Sequence, residues 1–97
     1  MPTSTVVVPT PNGSRYLQQL CKHWSHKLAV EFDAERGVVT FPEARAAMDA
    51  RPDALAIELT AASPETLERM KGVVSSHLDR FAFREAPLRF EWVDERG

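Results

Sequence analysis

Apolar residues alternate with polar ones near the start of the chain. Val6 and Val8 share one face and Thr5 and Val7 the other, and Pro9 and Pro11 close the segment because proline donates no ladder hydrogen bond. Asn12-Gly13-Ser14 is a turn cluster with two acceptable helix caps, Asn12 and Ser14. From Arg15 to Leu28 there is neither Gly nor Pro, and Leu17, Leu20, Cys21, Trp24 and Leu28 recur at three-and-four spacing. That periodicity predicts a first helix with one apolar stripe. Alternation then resumes, with Leu28, Val30 and Phe32 on one side and Ala29, Glu31 and Asp33 on the other. Glu35-Arg36-Gly37 reads as a turn with Gly37 at positive φ.

A strand is expected from Val38, and 43–50 fits either two helical turns or strand alternation. We read it as one long, bent edge strand. Arg51-Pro52-Asp53 turns the chain into a strand over 54–60, with Leu55, Ile57 and Leu59 on its buried face. Ser63-Pro64-Glu65 is a strong helix start: a serine cap, proline at the first helical position and an acid in the first turn. This second helix carries Leu67, Met70, Val74, Leu78 and Phe81 and ends near Phe81 or Ala82. After Pro87, Leu88, Phe90 and Trp92 alternate with Arg89, Glu91 and Val93 as a last strand.

The expected order is β-α-β-β-β-α-β. Each strand has one apolar face, so both helices are expected on one side of a mixed or antiparallel sheet. The fold class is α+β, a two-layer sandwich in a ferredoxin-like variant, with 1–97 as one domain.

Composition narrows the function. Twelve Lys and Arg against fourteen Asp and Glu give a net charge of -2. The uncovered sheet face is expected to hold Glu31, Asp33, Glu58, Thr60, Arg89 and Glu91 with small Ala29 and Ala56. Carboxylates without exposed aromatics argue against nucleic acid, which wants cations and stacking platforms. No apolar run is long enough to span a bilayer, no secretory signal opens the chain, and the single cysteine, Cys21, fits a reducing compartment. The expectation is a cytoplasmic protein without a membrane or nucleic-acid partner.

The histidines are the more specific feature. His23 and His26 form an HxxH pair on the first helix, with Tyr16 and Gln19 near His23, and His77 lies beside Met70, Val74 and Phe81 on the second. Helices packed side by side would let His23 and His77 face one groove. Three imidazoles suit zinc or iron, yet HxxH lacks the glutamate of a zinc-hydrolase motif and has no CxxC partner, so no metal and no cofactor are expected. Cys21 lies on the buried stripe, where a thiol packs as a small hydrophobe, and no phosphate loop or nucleophile elbow is present. No reaction mechanism assembles, and the reading leans away from an enzyme.

Two strings have a family character: Ser14–Lys27, which contains KHWSHK, and His77–Glu85, HLDRFAFRE. They resemble the bacterial domain of unknown function family 2218, over nearly the whole chain. That family is similar to domains beside or fused to siderophore-interacting flavin reductases, so the resemblance implies a link to iron acquisition and assigns no catalytic residue. The first expectation is a non-enzymatic accessory or ligand-binding domain. Tyr16, His23, His26, His77 and Arg84 would meet an anionic small molecule or a siderophore-related protein. The alternative is an interaction module that forms a homodimer or docks through its open sheet face or an edge strand.

Overall fold

A computed structural model describes residues 1–95. The elements run β1 (Thr3–Pro9), α1 (Gly13–Trp24), β2 (Ala29–Phe32), β3 (Arg36–Phe41), β4 (Ala44–Arg51), β5 (Ala54–Ala61), α2 (Pro64–Phe81) and β6 (Val93–Glu95). The strands form one sheet in the order β2-β3-β4-β5-β1-β6, with every neighbouring pair antiparallel. Both helices pack on the same side. Their stripes close over Val6, Val8, Val39, Ala46, Met48, Leu55, Ile57 and Leu59, all of them buried. This is the expected α+β two-layer arrangement.

The order differs from expectation in the middle of the chain. The segment read as one bent edge strand is two strands, because Pro42 and Glu43 make a tight turn between β3 and β4. Four strands therefore separate the helices, not three, and β4 lies inside the sheet between β3 and β5. Alternation could not reveal the turn, since a two-residue hairpin leaves the period of two nearly intact on both sides.

Two smaller differences lie in the first half of the chain. Gly37 is not a turn residue; it lies in β3, and among the described residues no glycine has positive φ. Its missing side chain makes room for α1, since a Cβ there would sit 2.7 Å from Cys21 Sγ. Gly13 does the same at the start of α1, where a Cβ would come within 2.8 Å of the Ala54 carbonyl oxygen. Helix α1 also stops at Trp24, four residues before the expected end, and Leu28 packs against the core from the turn that follows.

The start of α2 follows its sequence signal. Ser63 Oγ accepts from Thr66 N at 3.2 Å, with proline in the first turn. The helix ends at Phe81, and Ala82 N donates to the Leu78 carbonyl at 2.8 Å. The last strand is shorter than its pattern. Leu88, Phe90 and Trp92 do pack against the core, but only Val93–Glu95 joins the ladder. Arg89 and Glu91 are therefore not sheet-face residues; they lie 3.5 Å from each other and are exposed. Asp33 is also off the sheet face, in a turn where its Oδ1 accepts from Glu35 N and Arg36 N at 2.8 Å.

Candidate functional site

The seam between α1 and α2 gathers most of the expected site residues. On α1, positions 15, 19 and 23 follow one another at i+4 spacing and carry Arg15, Gln19 and His23. The end of α2 and the turn after it bring His77, Phe81, Phe83 and Arg84 to the same seam. The His23 and His77 rings lie 5.3 Å apart, Phe81 meets His23 edge-on at 5.7 Å, and His77 is 5.3 Å from Trp24. His77 Nδ1 lies 2.7 Å from the Val73 carbonyl oxygen of its own helix. A carbonyl only accepts, so that nitrogen carries the proton and the ring is held in place.

Four of the five residues read as one site divide between two hollows on either side of this ring cluster. Tyr16 and Arg84 line a hollow of about 260 Å³ with Arg15, Gln19, Phe81 and Phe83. His23 and His26 line another of about 330 Å³ with Trp24, Lys27 and Leu28. His77 lines neither. His26 is exposed, in the turn after α1. Among the described residues, no group of three or more His, Cys, Asp or Glu is placed to hold a metal ion.

The first hollow has the more directed chemistry. Arg15 and Arg84 bring two guanidinium groups to a space walled by Phe81 and Phe83, and among the described residues no carboxylate lines it. The Arg84 guanidinium sits 5.8 Å from the centre of the exposed Phe83 ring, a cation–π distance that limits its freedom. Such a space accepts a flat group bearing negative charge.

Beneath it lies a network that the sequence did not announce. Glu85 accepts from Thr10 Oγ1 at 2.8 Å, from Asn12 Nδ2 at 3.1 Å and from the Tyr16 hydroxyl in a short hydrogen bond. The Tyr16 and Asn12 hydrogen bonds hold the Glu85 carboxyl below its ordinary value, whereas burial, with the facing carboxylate second, raises that of Tyr16. Tyr16 is thus a wall of the hollow whose hydroxyl is already engaged. Asn12, one of the two acceptable caps of α1, stands at its N-cap without a side-chain cap; its Nδ2 donates to Glu85. Glu85 closed the second family-like string, but its partners lie 69 to 75 residues away, beyond the reach of any periodicity.

Cys21 is fully buried, and burial pushes its thiol up to about 11. At neutral pH an aromatic disulfide reagent should react with it slower by roughly two orders of magnitude in the native protein than in denaturant. Rapid native labelling, followed by absorbance, would contradict the packing of α1 on β3.

Comparisons with known proteins agree with this architecture. The sequence model for "Uncharacterized protein conserved in bacteria (DUF2218)" matches residues 5–93. The chain belongs to that family. It is also similar to the NMR structure of PA4090 from Pseudomonas aeruginosa, at 36% identity over 96% of each chain with a TM-score of 0.81. None of the curated proteins matches. Among the described residues, no helix of this DUF2218 chain is long and apolar enough to cross a membrane.

Proposed function

We propose that this DUF2218 domain is a non-enzymatic binding protein whose ligand is a small, flat anion held at the α1–α2 seam. The observation that carries the reading is the pairing of Arg15 and Arg84 across a hollow walled by phenylalanines and, among the described residues, lined by no acid. Its volume of about 260 Å³ lies just below the usual range for ligand pockets, which starts near ~300 Å³. That size suits one ring bearing a carboxylate or catecholate. His23, which lines the neighbouring hollow, packs against the Phe81 wall of this one and against His77.

Setting the β2–β3 hairpin aside, the order β4-β5-β1-β6 supports the ferredoxin-like reading of the core. Folds of that kind host unrelated functions, so the seam and not the fold carries the proposal. The link to iron that the family resemblance implies enters as a choice of probes, since many iron chelators present the same planar anionic group.

Calorimetry with benzoate, 2,3-dihydroxybenzoate and a catecholate siderophore in ferric and iron-free forms tests the proposal. The expected result is saturable binding of the ring anions, none of neutral benzyl alcohol, and about tenfold weaker binding in Arg84→Ala, the loss of one charge-assisted contact. His23→Ala should weaken binding less. Heat from none of these ligands, or unchanged affinity in Arg84→Ala, would remove the seam as a site. Tighter binding of the ferric form than of the simple ring acids would support the iron reading.

A further inference from the structure

Helix α1 carries no acid, and the chain has none before Glu31. The outward stripe of α1 runs Arg15, Gln19 and Lys22, all exposed, and the turn after it adds an exposed Lys27. On α2, Val73, His77 and Arg80 follow one another at i+4 and i+3 spacing. His77 meets His23, so this flank of α2 borders α1. Arg84 comes in the turn after α2 and lines the same hollow as Arg15. Cations therefore stand on both banks of the seam: Arg15, Lys22 and Lys27 on one, Arg80 and Arg84 on the other.

Among the described residues, none of these five cations is in an ion pair. The acids of the helical layer are turned elsewhere. Glu68 and Asp79 lie on the opposite flank of α2, where Glu68 meets Lys71 and Asp79 accepts from Leu88 N. Asp33 and Glu35 belong to the turn before β3, which Ser14 Oγ ties to the far flank of α1 by donating to the Ala34 carbonyl. Glu43 and Glu65 stand near the start of α2 and Asp53 near the start of α1, at the two ends of the seam. Glu85 follows Arg84, but its carboxylate is engaged by Thr10, Asn12 and Tyr16. The seam is thus a basic strip on a chain of net charge -2.

One small anion does not cover this strip, since positions 15 and 22 alone lie about 10 Å apart along the helix. Phe83, 69% exposed at the edge of the first hollow, adds an apolar anchor. A polyphosphate favours a basic chain, whereas this one has a pI of about 5.9 and acids at both ends of the strip. A peptide brings a few carboxylates together with an apolar side chain. We infer that the α1–α2 seam docks an acidic segment of a partner protein, its carboxylates against Arg15, Lys22, Arg80 and Arg84 and an apolar side chain on Phe83. The ring anion proposed above shares Arg15 and Arg84 with this segment. Neither Lys22 nor Arg80 lines its hollow, so variants of that pair separate the two readings.

Fluorescence anisotropy tests it, with a labelled peptide whose glutamates flank a phenylalanine and a control peptide with glutamine at each glutamate. The seam variant is Lys22→Glu/Arg80→Glu, and Arg36→Glu/Arg51→Glu on the open sheet face changes the net charge equally. All four side chains are exposed, so both variants should fold, which circular dichroism checks. The acidic peptide is expected to bind saturably, more weakly as salt rises, and the glutamine peptide not at all. The seam variant should weaken binding about tenfold or more, and the sheet-face variant less than about twofold. An acidic peptide that does not bind overturns the inference, and so does an equal loss in the two variants. Tighter binding of a single-stranded oligonucleotide or of anionic lipid vesicles at the same salt also overturns it and assigns the strip to that class.

Discussion

Gly37→Val is expected to destabilise the protein by about 3 kcal/mol, the upper end of the cost of overfilling a packed core. A Cβ at this position would stand 2.7 Å from Cys21 Sγ and 3.3 Å from both Leu17 Cδ2 and Phe32 Cβ. Cys21 and Leu17 are fully buried, so neither can swing into solvent, and α1 would have to lift from β3. Small domains hold together by about 5–15 kcal/mol, so this is a large share of the total. Chemical denaturation should show a lower midpoint with an unchanged slope. Gly37→Ala should cost less, and less again when combined with Cys21→Ala, which removes the sulfur it strikes. Additive costs in that double variant would mean that the sulfur is not the obstacle. An unchanged midpoint in Gly37→Val would place α1 further from the sheet than described.

Removal of the Glu85 carboxylate should have the second largest effect. Glu85→Ala strands the hydroxyls of Tyr16 and Thr10, whose residues are 5% and 3% exposed. Unsatisfied buried polar groups cost about 1–3 kcal/mol each, partly relieved if water enters the space the side chain leaves. The effect has a defined pH dependence. The native carboxyl titrates below its ordinary value of 4.5 because it accepts from Tyr16, Asn12 and Thr10. Its contribution is therefore complete above 4.5 and is lost as pH falls through the lower native value. The stability gap between wild type and Glu85→Ala should be full at neutral pH and shrink in acid. Tyr16 works in the opposite range. Its value is raised above the ordinary 10.0, chiefly by burial, so its contribution is present below 10.0 and is lost as pH rises through the native value. A gap that stays constant from neutral pH into acid would show that the carboxylate does not carry the interaction.

Much of the fold was legible along the chain. Val6 and Val8, Leu55, Ile57 and Leu59, and Leu17, Leu20, Cys21 and Trp24 of α1 with Leu67, Met70, Val74 and Leu78 of α2 are buried as their spacing required, because burial on one face imposes a period that a sequence displays directly. Ser63-Pro64-Glu65 marked the start of α2 for an equally local reason: cap, proline and acid act within one turn. The Pro42-Glu43 turn was not legible, since alternation continues through it. Nor was the role of Gly37, whose cause is a helix more than a dozen residues away in sequence.

The candidate site divides in the same way. The imidazoles on two amphipathic helices were visible, and His23 and His77 do meet across the seam. Their surroundings were not. His23 and His26 line a separate hollow, Arg15 and Phe83 join Arg84 around another, and Glu85 engages the Tyr16 hydroxyl.

By itself, the sequence determined which residues point inward, where α2 begins and ends, and that two helices lie on one side of a sheet. These follow from periodicity and capping, which act between residues a turn or two apart. The tertiary structure alone decided the strand order, the Glu85 network, and the division of the histidines and arginines between two hollows. Each depends on which distant segments become neighbours, and that is set by packing the whole chain at once.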